Sequence, residues 1–305
     1  MRKLTAGQFE KMDHWMQGNA RPVDRAKWDH LFHGDSSDTI VTQTLTYQNS
    51  DGGLGHGFEP DVLLPLSAAI PTAEAIFTAY EYGLDCTAPW FASILAYFEQ
   101  TVQDIPKYWE GCPPEAMDYP HAPWWIYSPC TTFNPNPCAV VASAFLRYGT
   151  PAQRTLGEQI ASDTLALLTG TDFCDDHDTL NCMALVEQLI AINSPLVTEE
   201  ILAAARRRIR ENTSFEPAKW RTYNFCPLDF VSSPQSMWYD TVKDGIEENL
   251  AFWLNTLNAD GVWTPNFSWG IDSDTARRVT EQWKGYVTVK RAKILRNFGL
   301  IENTI

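Results

Sequence analysis

Gln48-Asn49-Ser50-Asp51-Gly52-Gly53-Leu54-Gly55-His56-Gly57-Phe58-Glu59-Pro60-Asp61 is the stretch on which the architecture turns. It comes after an amphipathic segment and is rich in glycine, the residue a chain uses where it bends sharply or approaches another backbone closely. Near the other end, Leu257-Asn258-Ala259-Asp260-Gly261-Val262-Trp263 has the same order. Each stretch carries an Asp-Gly turn after a helical pattern, with a large apolar residue just beyond it. The chain is therefore expected to use one structural unit twice.

Between the two turns the apolar residues recur at helical spacing. Examples are Ala73, Ile76, Phe77 and Tyr80; Phe91, Ile94, Leu95 and Phe98; Val140, Ala144, Phe145 and Tyr148; and Ile246, Leu250, Trp253, Leu254 and Leu257. These i, i+3/i+4 stripes predict amphipathic helices. Start signals agree: Ser36-Ser37, Pro151, Thr198 with Glu200, and Asp272-Ser273-Asp274. Gly83, Gly149 and Gly299 supply stops. The pattern predicts about eleven or twelve helices, and no stretch alternates with period two long enough for a substantial sheet. The irregular stretches 50–66, 104–136, 213–236 and 259–272 are rich in Pro, Trp and Tyr, so packed loops lining a surface or cavity are expected there. No Ser/Gly linker divides the chain, and the sequence reads as one domain over 1–305.

Composition narrows the function. The formal charge of −15 argues against nucleic acid or an anionic membrane as partner, because phosphate binding needs a basic footprint. The run Arg206-Arg207-Arg208 with Arg210 sits in an Ala-rich helical pattern and reads as a solvated face. An apolar leader and an 18-residue apolar run are both absent, so membrane spanning is not expected. The seven cysteines are spread along the chain without a C-x-x-C pair, which fits reduced thiols in a cytoplasmic protein.

Gln48-x-x-Asp51-Gly52-Gly53-Leu54 resembles the Gln-Trp type repeat of the terpenoid cyclase and protein prenyltransferase superfamily, with Asn258-x-Asp260-Gly261-Val262-Trp263 as a degenerate second copy. The resemblance is closer to a group of bacterial squalene-cyclase/prenyltransferase-like proteins of about this length. It rests on Ala20 through Trp28, Tyr47 through Asp61, Ala122-Pro123-Trp124-Trp125, Phe133-Asn134-Pro135 and Trp283 through Thr288. It implies an all-α fold, an (α/α)6 toroid of inner and outer helical rings, and it carries no reaction with it. The superfamily's Asp-x-Asp-Asp acid motif is not reproduced: Asp175-Asp176-His177-Asp178 has the wrong order. The magnesium-binding Asp-Asp-x-x-Asp is absent. Asp172-Phe173-Cys174 fits the zinc-binding Asp-x-Cys pair, but His177 lies too near to match the family spacing. Neither a metal nor a cofactor is expected.

Two constellations carry candidate chemistry. Glu59 precedes a proline and should be extended, so Glu59 and Asp61 project to one side, with His56 nearby. Two neighbouring carboxylates repel, which raises one pKa and creates an acid near neutral pH. The alternative is that both accept hydrogen bonds from the Gly-rich turn's amides and from Arg21 or Arg25. Asp176 and His177 open a helical stripe, where aspartates cap free amides and face the helix dipole; they are also candidates for acid, base or ligand. Trp124, Trp125, Asn134, Trp263 and Trp269 are the candidate ligand-binding residues, since loop tryptophans suit stacking on sugar rings or on a cation. His56, Glu59, Asp61, Asp176, His177, Trp124 and Trp269 are expected to line one cavity.

Three functions remain open on the sequence alone, each with a small-molecule ligand or a protein as partner. One is an enzyme acting on an isoprenoid or other apolar ligand through a carboxylic acid in an aromatic cavity. Another is a carbohydrate-active hydrolase or lyase using paired carboxylates. The third is a non-catalytic binding toroid.

Overall fold

The computed structural model describes residues 2–103, 108–129, 132–171 and 175–302. In chain order, α1 (Ala6–Asn19), α2 (Pro22–Phe32) and α3 (Asp38–Leu45) come first. Next come α4 (Ala69–Tyr82), α5 (Pro89–Thr101), α6 (Pro135–Tyr148), α7 (Pro151–Thr169) and α8 (Asp176–Ala191). The last four are α9 (Glu199–Glu211), α10 (Pro227–Phe230), α11 (Tyr239–Asn255) and α12 (Asp274–Asn297). The described residues are all-α, and extended pairing among them is confined to isolated bridges. No helix among them is long and apolar enough to cross a membrane.

The chain divides into two compact units, Thr44–Arg208 and a discontinuous one made of Met1–Gln43 with Ile209–Ile305. In the first, α6 is the central element and touches α4, α5, α7 and α8. Its burial explains its composition. Pro135 and every residue from Pro137 to Phe145 are buried, so the helix is apolar or small on all sides, as a fully enclosed helix must be. Small residues let α7 come close: a Cβ on Gly157 would lie 3.0 Å from that of Phe145. Pro151 stands at the first helical position of α7, as the sequence predicts, and Thr150 and Gln153 form a capping box there.

In the discontinuous unit, α12 contacts both α1 and α2, and α10 lies on α11. The segments preceding α1 and succeeding α12 pair directly: Leu4 N–H donates to Leu300 O at 2.8 Å, and Glu302 N–H to Leu4 O at 3.0 Å. Trp28 is fully buried, stacks on Phe9 and donates its indole N–H to Asp13 at 2.7 Å. Arg21 and Asp24 form a buried ion pair at 2.6 Å.

The repeated turn is present once in each unit, with matching hydrogen bonds. Asn49 N–H donates to Gly53 O, as Asn258 N–H does to Val262 O, both at 2.9 Å. Gly52 N–H returns to Asn49 O, as Gly261 N–H does to Asn258 O, both at 3.0 Å. The next amide, of Leu54 or Trp263, donates to a threonine hydroxyl on a later helix, Thr72 of α4 at 2.8 Å or Thr288 of α12 at 3.3 Å. Gly52 has φ +90 and Gly261 φ +83, the left-handed region where glycine escapes the steric penalty other residues meet. The two later helices also stop alike. Both α4 and α12 end near a left-handed glycine, Gly83 or Gly299, and the N–H of the next leucine, Leu84 or Leu300, donates five residues back at 2.9 or 2.8 Å. The second use of one unit, expected from two short motifs, is a feature of the backbone.

Three details depart from the sequence reading. The irregular stretch 104–136 contains a 3-10 turn, Pro114–Asp118, and 213–236 contains another, Lys219–Arg221, together with α10. Elements of three to five residues leave no periodicity to read. Gly149 ends α6 as expected but in an extended conformation, whereas Gly83 and Gly299 are left-handed.

Candidate functional site

The Gly-rich stretch is first of all a self-bonded scaffold. Asp51 accepts from Gly53 N–H at 3.0 Å and from Ser67 Oγ at 2.7 Å. The Asn49 amide donates to Pro65 O at 3.0 Å, while its oxygen meets His56 Nε2 at 2.9 Å. Gln48 donates to Gly52 O and to Ser93 Oγ, both at 2.9 Å. The Gly52 and Gly53 amides are taken by Asn49 and Asp51, which lie within hydrogen-bonding reach along the chain.

Glu59 and Asp61 do lie close together. Glu59 Oε1 accepts from Asp61 N–H at 3.3 Å. Asp61 is buried; its backbone carbonyl accepts from Ala122 N–H at 2.8 Å and its Oδ2 from the Trp124 indole at 3.1 Å. A bridge between Val62 and His121 continues this contact. The stretch around Trp124 and Trp125 is therefore held against the segment just beyond the Gly-rich turn. Trp124 is half exposed.

Trp125 leads to a cleft in the same unit. Its carbonyl accepts from the Cys112 thiol at 3.5 Å, and Cys112 lines a cavity of about 370 Å³ with Ile70, Trp109, Glu110, Ser128, Asn134 and Asn136. The lining mixes apolar side chains with hydrogen-bonding groups, the composition of an orienting ligand site. Asn134 caps α6, its side chain accepting from Asn136 N–H at 2.8 Å. Desolvation first, and then the Glu110 carboxylate, push the nearby Tyr127 phenol above its ordinary value.

The start of α8 sits behind the Asn136 wall. Asp175 and Asp178 form a capping box, with Asp175 Oδ1 accepting from Asp178 N–H at 2.8 Å and Asp178 Oδ2 from Asp175 N–H at 3.2 Å. Asp178 Oδ1 accepts from Asn136 N–H at 3.3 Å. Burial and the neighbouring Asp175 carboxylate push the Asp178 pKa up to about 6, against the hydrogen bonds that favour its charge. Burial also raises Asp176, while the nearby His177 opposes the rise. Asp176 and His177 bond to each other, His177 N–H donating to Asp176 Oδ1 at 2.9 Å, and His177 is exposed. The titratable group that the sequence reading misses is thus Asp178, in the first turn of α8 and accepting from the Asn136 N–H.

Asn181 completes this wall. Its Nδ2 donates to Asn136 Oδ1 at 3.2 Å and to His177 O at 3.0 Å. Two acceptors fix which end of the amide is nitrogen. Its Oδ1 is buried and has no hydrogen-bond partner among the described residues.

Trp263 and Trp269 belong to the other unit, and both are buried. Trp263 donates its indole N–H to Trp253 O at 2.8 Å, so it is a packed wall rather than an open platform. Among the described residues no group of three His, Cys, Asp or Glu side chains is arranged to hold a metal ion. Asp172 and Cys174 lie outside the described residues.

No protein-family model, curated protein or solved structure matches the chain.

Proposed function

We propose that the chain is an (α/α)6 toroid of the terpenoid cyclase and prenyltransferase kind, and that the cleft beside α8 takes a small hydroxyl-rich ligand of the carbohydrate type. The toroid reading is supported by the repeated Asn-x-Asp-Gly unit, which recurs with the same hydrogen bonds and the same glycine stop. The observation that carries the ligand class is the orphaned Asn181 oxygen. A buried acceptor without a donor is destabilising, and water or a ligand hydroxyl reaching it through the Asn136 wall would satisfy it.

Glu110 is the carboxylate that lines the cavity. Asp178, with a pKa near 6, lies behind Asn136 and acts on the cleft by accepting from the Asn136 N–H. Ile70 and Trp109 supply the apolar face against which a ring would lie.

Saturation-transfer NMR with a panel of disaccharides, and with farnesol as the apolar comparison, tests this reading. Transfer to a disaccharide that disappears in Ser128→Trp, where an exposed side chain of the cleft is made large enough to fill it, is the expected result. Transfer to farnesol alone would restore the isoprenoid reading. Transfer unaffected by Ser128→Trp would place the ligand elsewhere.

A further inference from the structure

The amide of Asn136 joins the cleft to the carboxyl behind it. Asn136 lines the cavity together with Asn134, and it stands at the start of α6 with φ −95 and ψ 112, outside the helical range, as a residue before proline tends to be. At a helix start the N–H has no intrahelical carbonyl to meet. Two side chains take it instead, Asn134 Oδ1 at 2.8 Å and Asp178 Oδ1 at 3.3 Å. The Asn136 side chain is tied to the same helix as Asp178, since its Oδ1 accepts from Asn181 Nδ2 at 3.2 Å. Asn181 is itself buried, and it carries the acceptor that no described residue satisfies. The rim of the cleft thus hangs on α8 through Asp178 and Asn181, and the first of these is titratable.

Protonation of Asp178 does not affect its two oxygens equally. As a carboxylate it accepts at both, Oδ1 from Asn136 N–H and Oδ2 from Asp175 N–H at 3.2 Å. As a carboxylic acid, one oxygen bears the proton and becomes a donor. Asn136 N–H keeps Asn134 as an acceptor, whereas Asp175 N–H donates, among the described residues, to Asp178 alone. The proton is therefore better placed on Oδ1, where it leaves the capping box intact and sets an O–H against the Asn136 N–H. Two donors cannot satisfy each other, so the bond from the rim to Asp178 is given up. Among the described residues, the charges that bear on Asp178 are Asp175 and Asp176 of its own turn, and both oppose its ionisation. His177 stands next to them and bears on Asp176. Of the helices packed on α8, α6 presents asparagines at this end and has Arg147 in its last turn, beside Gln188. The other, α7, has no charged residue after Asp163, which accepts from the Tyr108 hydroxyl. Burial and the Asp175 carboxylate put the changeover at about pH 6.

We propose that Asp178 is a pH-responsive positioning residue for the cleft: its carboxylate holds the Asn134–Asn136 rim to α8, and its protonation releases that rim and weakens ligand binding. The proposal rests on the reading of the cleft as a ligand site and adds to it a competent and an incompetent form. Only the ionised form holds Asn136 in the position described. At pH 5, below the changeover, about a tenth of the molecules are in that form, so affinity falls by up to about tenfold relative to pH 7.5. The cleft takes up its ligand at neutral pH and lets it go in mild acid.

The test follows two NMR signals of the unaltered, ligand-free protein from pH 4.5 to 7.5, the Asn136 backbone amide and the Asp178 carboxyl carbon. A shared step centred near pH 6 is the expected outcome. Asp178→Asn should abolish the Asn136 step, while His177→Gln, which removes the neighbouring imidazole, should retain it. Maltose, cellobiose and lactose are then titrated at pH 5 and at pH 7.5. A sugar that binds should do so up to about tenfold more weakly at pH 5, and equally at both pH values in Asp178→Asn. Because the primary reading is made on the unaltered protein, it does not depend on either variant folding. An Asn136 amide indifferent to the Asp178 step would overturn the proposal, and so would a sugar bound equally at both pH values by the unaltered protein. If none of the three sugars binds while the two signals still step together, the carbohydrate reading fails and the positioning role of Asp178 is upheld.

Discussion

Replacing Asp178 by Asn should make the protein less stable in acid and more stable at neutral pH. A carboxyl whose pKa is raised on folding, here from 3.8 to about 6, stabilises the folded state in its protonated form. That contribution is complete below pH 3.8 and is lost as pH rises through about 6. The loss corresponds to roughly 3 kcal/mol, at 1.36 kcal/mol per unit, and burial of the side chain leaves little solvent screening to reduce it. Asparagine carries no such dependence. It does turn an NH2 group towards one of the two amides that Asp178 accepts from, Asp175 N–H or Asn136 N–H, at about 1 kcal/mol. The variant is therefore expected to be about 1 kcal/mol less stable than the native chain near pH 4 and about 2 kcal/mol more stable near pH 7. Urea denaturation of both proteins from pH 3.5 to 7.5 measures the difference directly, because the remaining carboxylates cancel. A stability difference that does not change with pH would refute a raised Asp178 pKa.

The repeated turn and the buried thiols give three further expectations. Gly52→Ala should cost more than Gly261→Ala in a melting experiment, although both positions have positive φ. A Cβ at Gly52 would stand 2.3 Å from the Ser93 carbonyl oxygen, while one at Gly261 meets the movable Lys11 side chain at 3.2 Å; equal losses would show that the α5 backbone yields. Thr72→Val should cost about 1–3 kcal/mol by leaving the buried Leu54 N–H without its acceptor, and Thr72→Ser should restore most of it; a neutral Thr72→Val would mean that the hydroxyl does not pin the turn. Peptide-resolved alkylation of the native protein at pH 8 should modify Cys226 and Cys86 slowly, since burial pushes the first well above the ordinary thiol range and the second up to about 11. Rapid labelling of either would contradict their enclosed settings.

The helical content and the repeated turn are legible in the sequence because both are local. An i, i+3/i+4 stripe needs no partner to be seen, and Asn-x-Asp-Gly already contains the acceptors that Gly53 or Val262 uses. The site is less legible because it is assembled across elements. Asp178 reads as an ordinary first-turn aspartate until Asn136, from the start of α6, is placed over it. Trp263 reads as a loop aromatic, but exposure cannot be told from residue type, and the ring is enclosed. His56 stands out for its chemistry, while its nearest partner is the asparagine that shapes the turn.

The pairing of Leu4 with the strand-like residues after α12 has a consequence for how the chain is made. During synthesis α1 and α2 emerge first, and α2 ends at Phe32, but their partner α12 does not begin until Asp274. At ribosomal speeds that interval is on the order of 10–50 s. Throughout it α1 and α2 have no α12 to pack against, while Thr44–Arg208, contiguous in sequence, is made within it and can fold before α12 arrives. The discontinuous unit is thus completed last, and the nascent protein presents its early aromatic helices to chaperones until the final segment arrives.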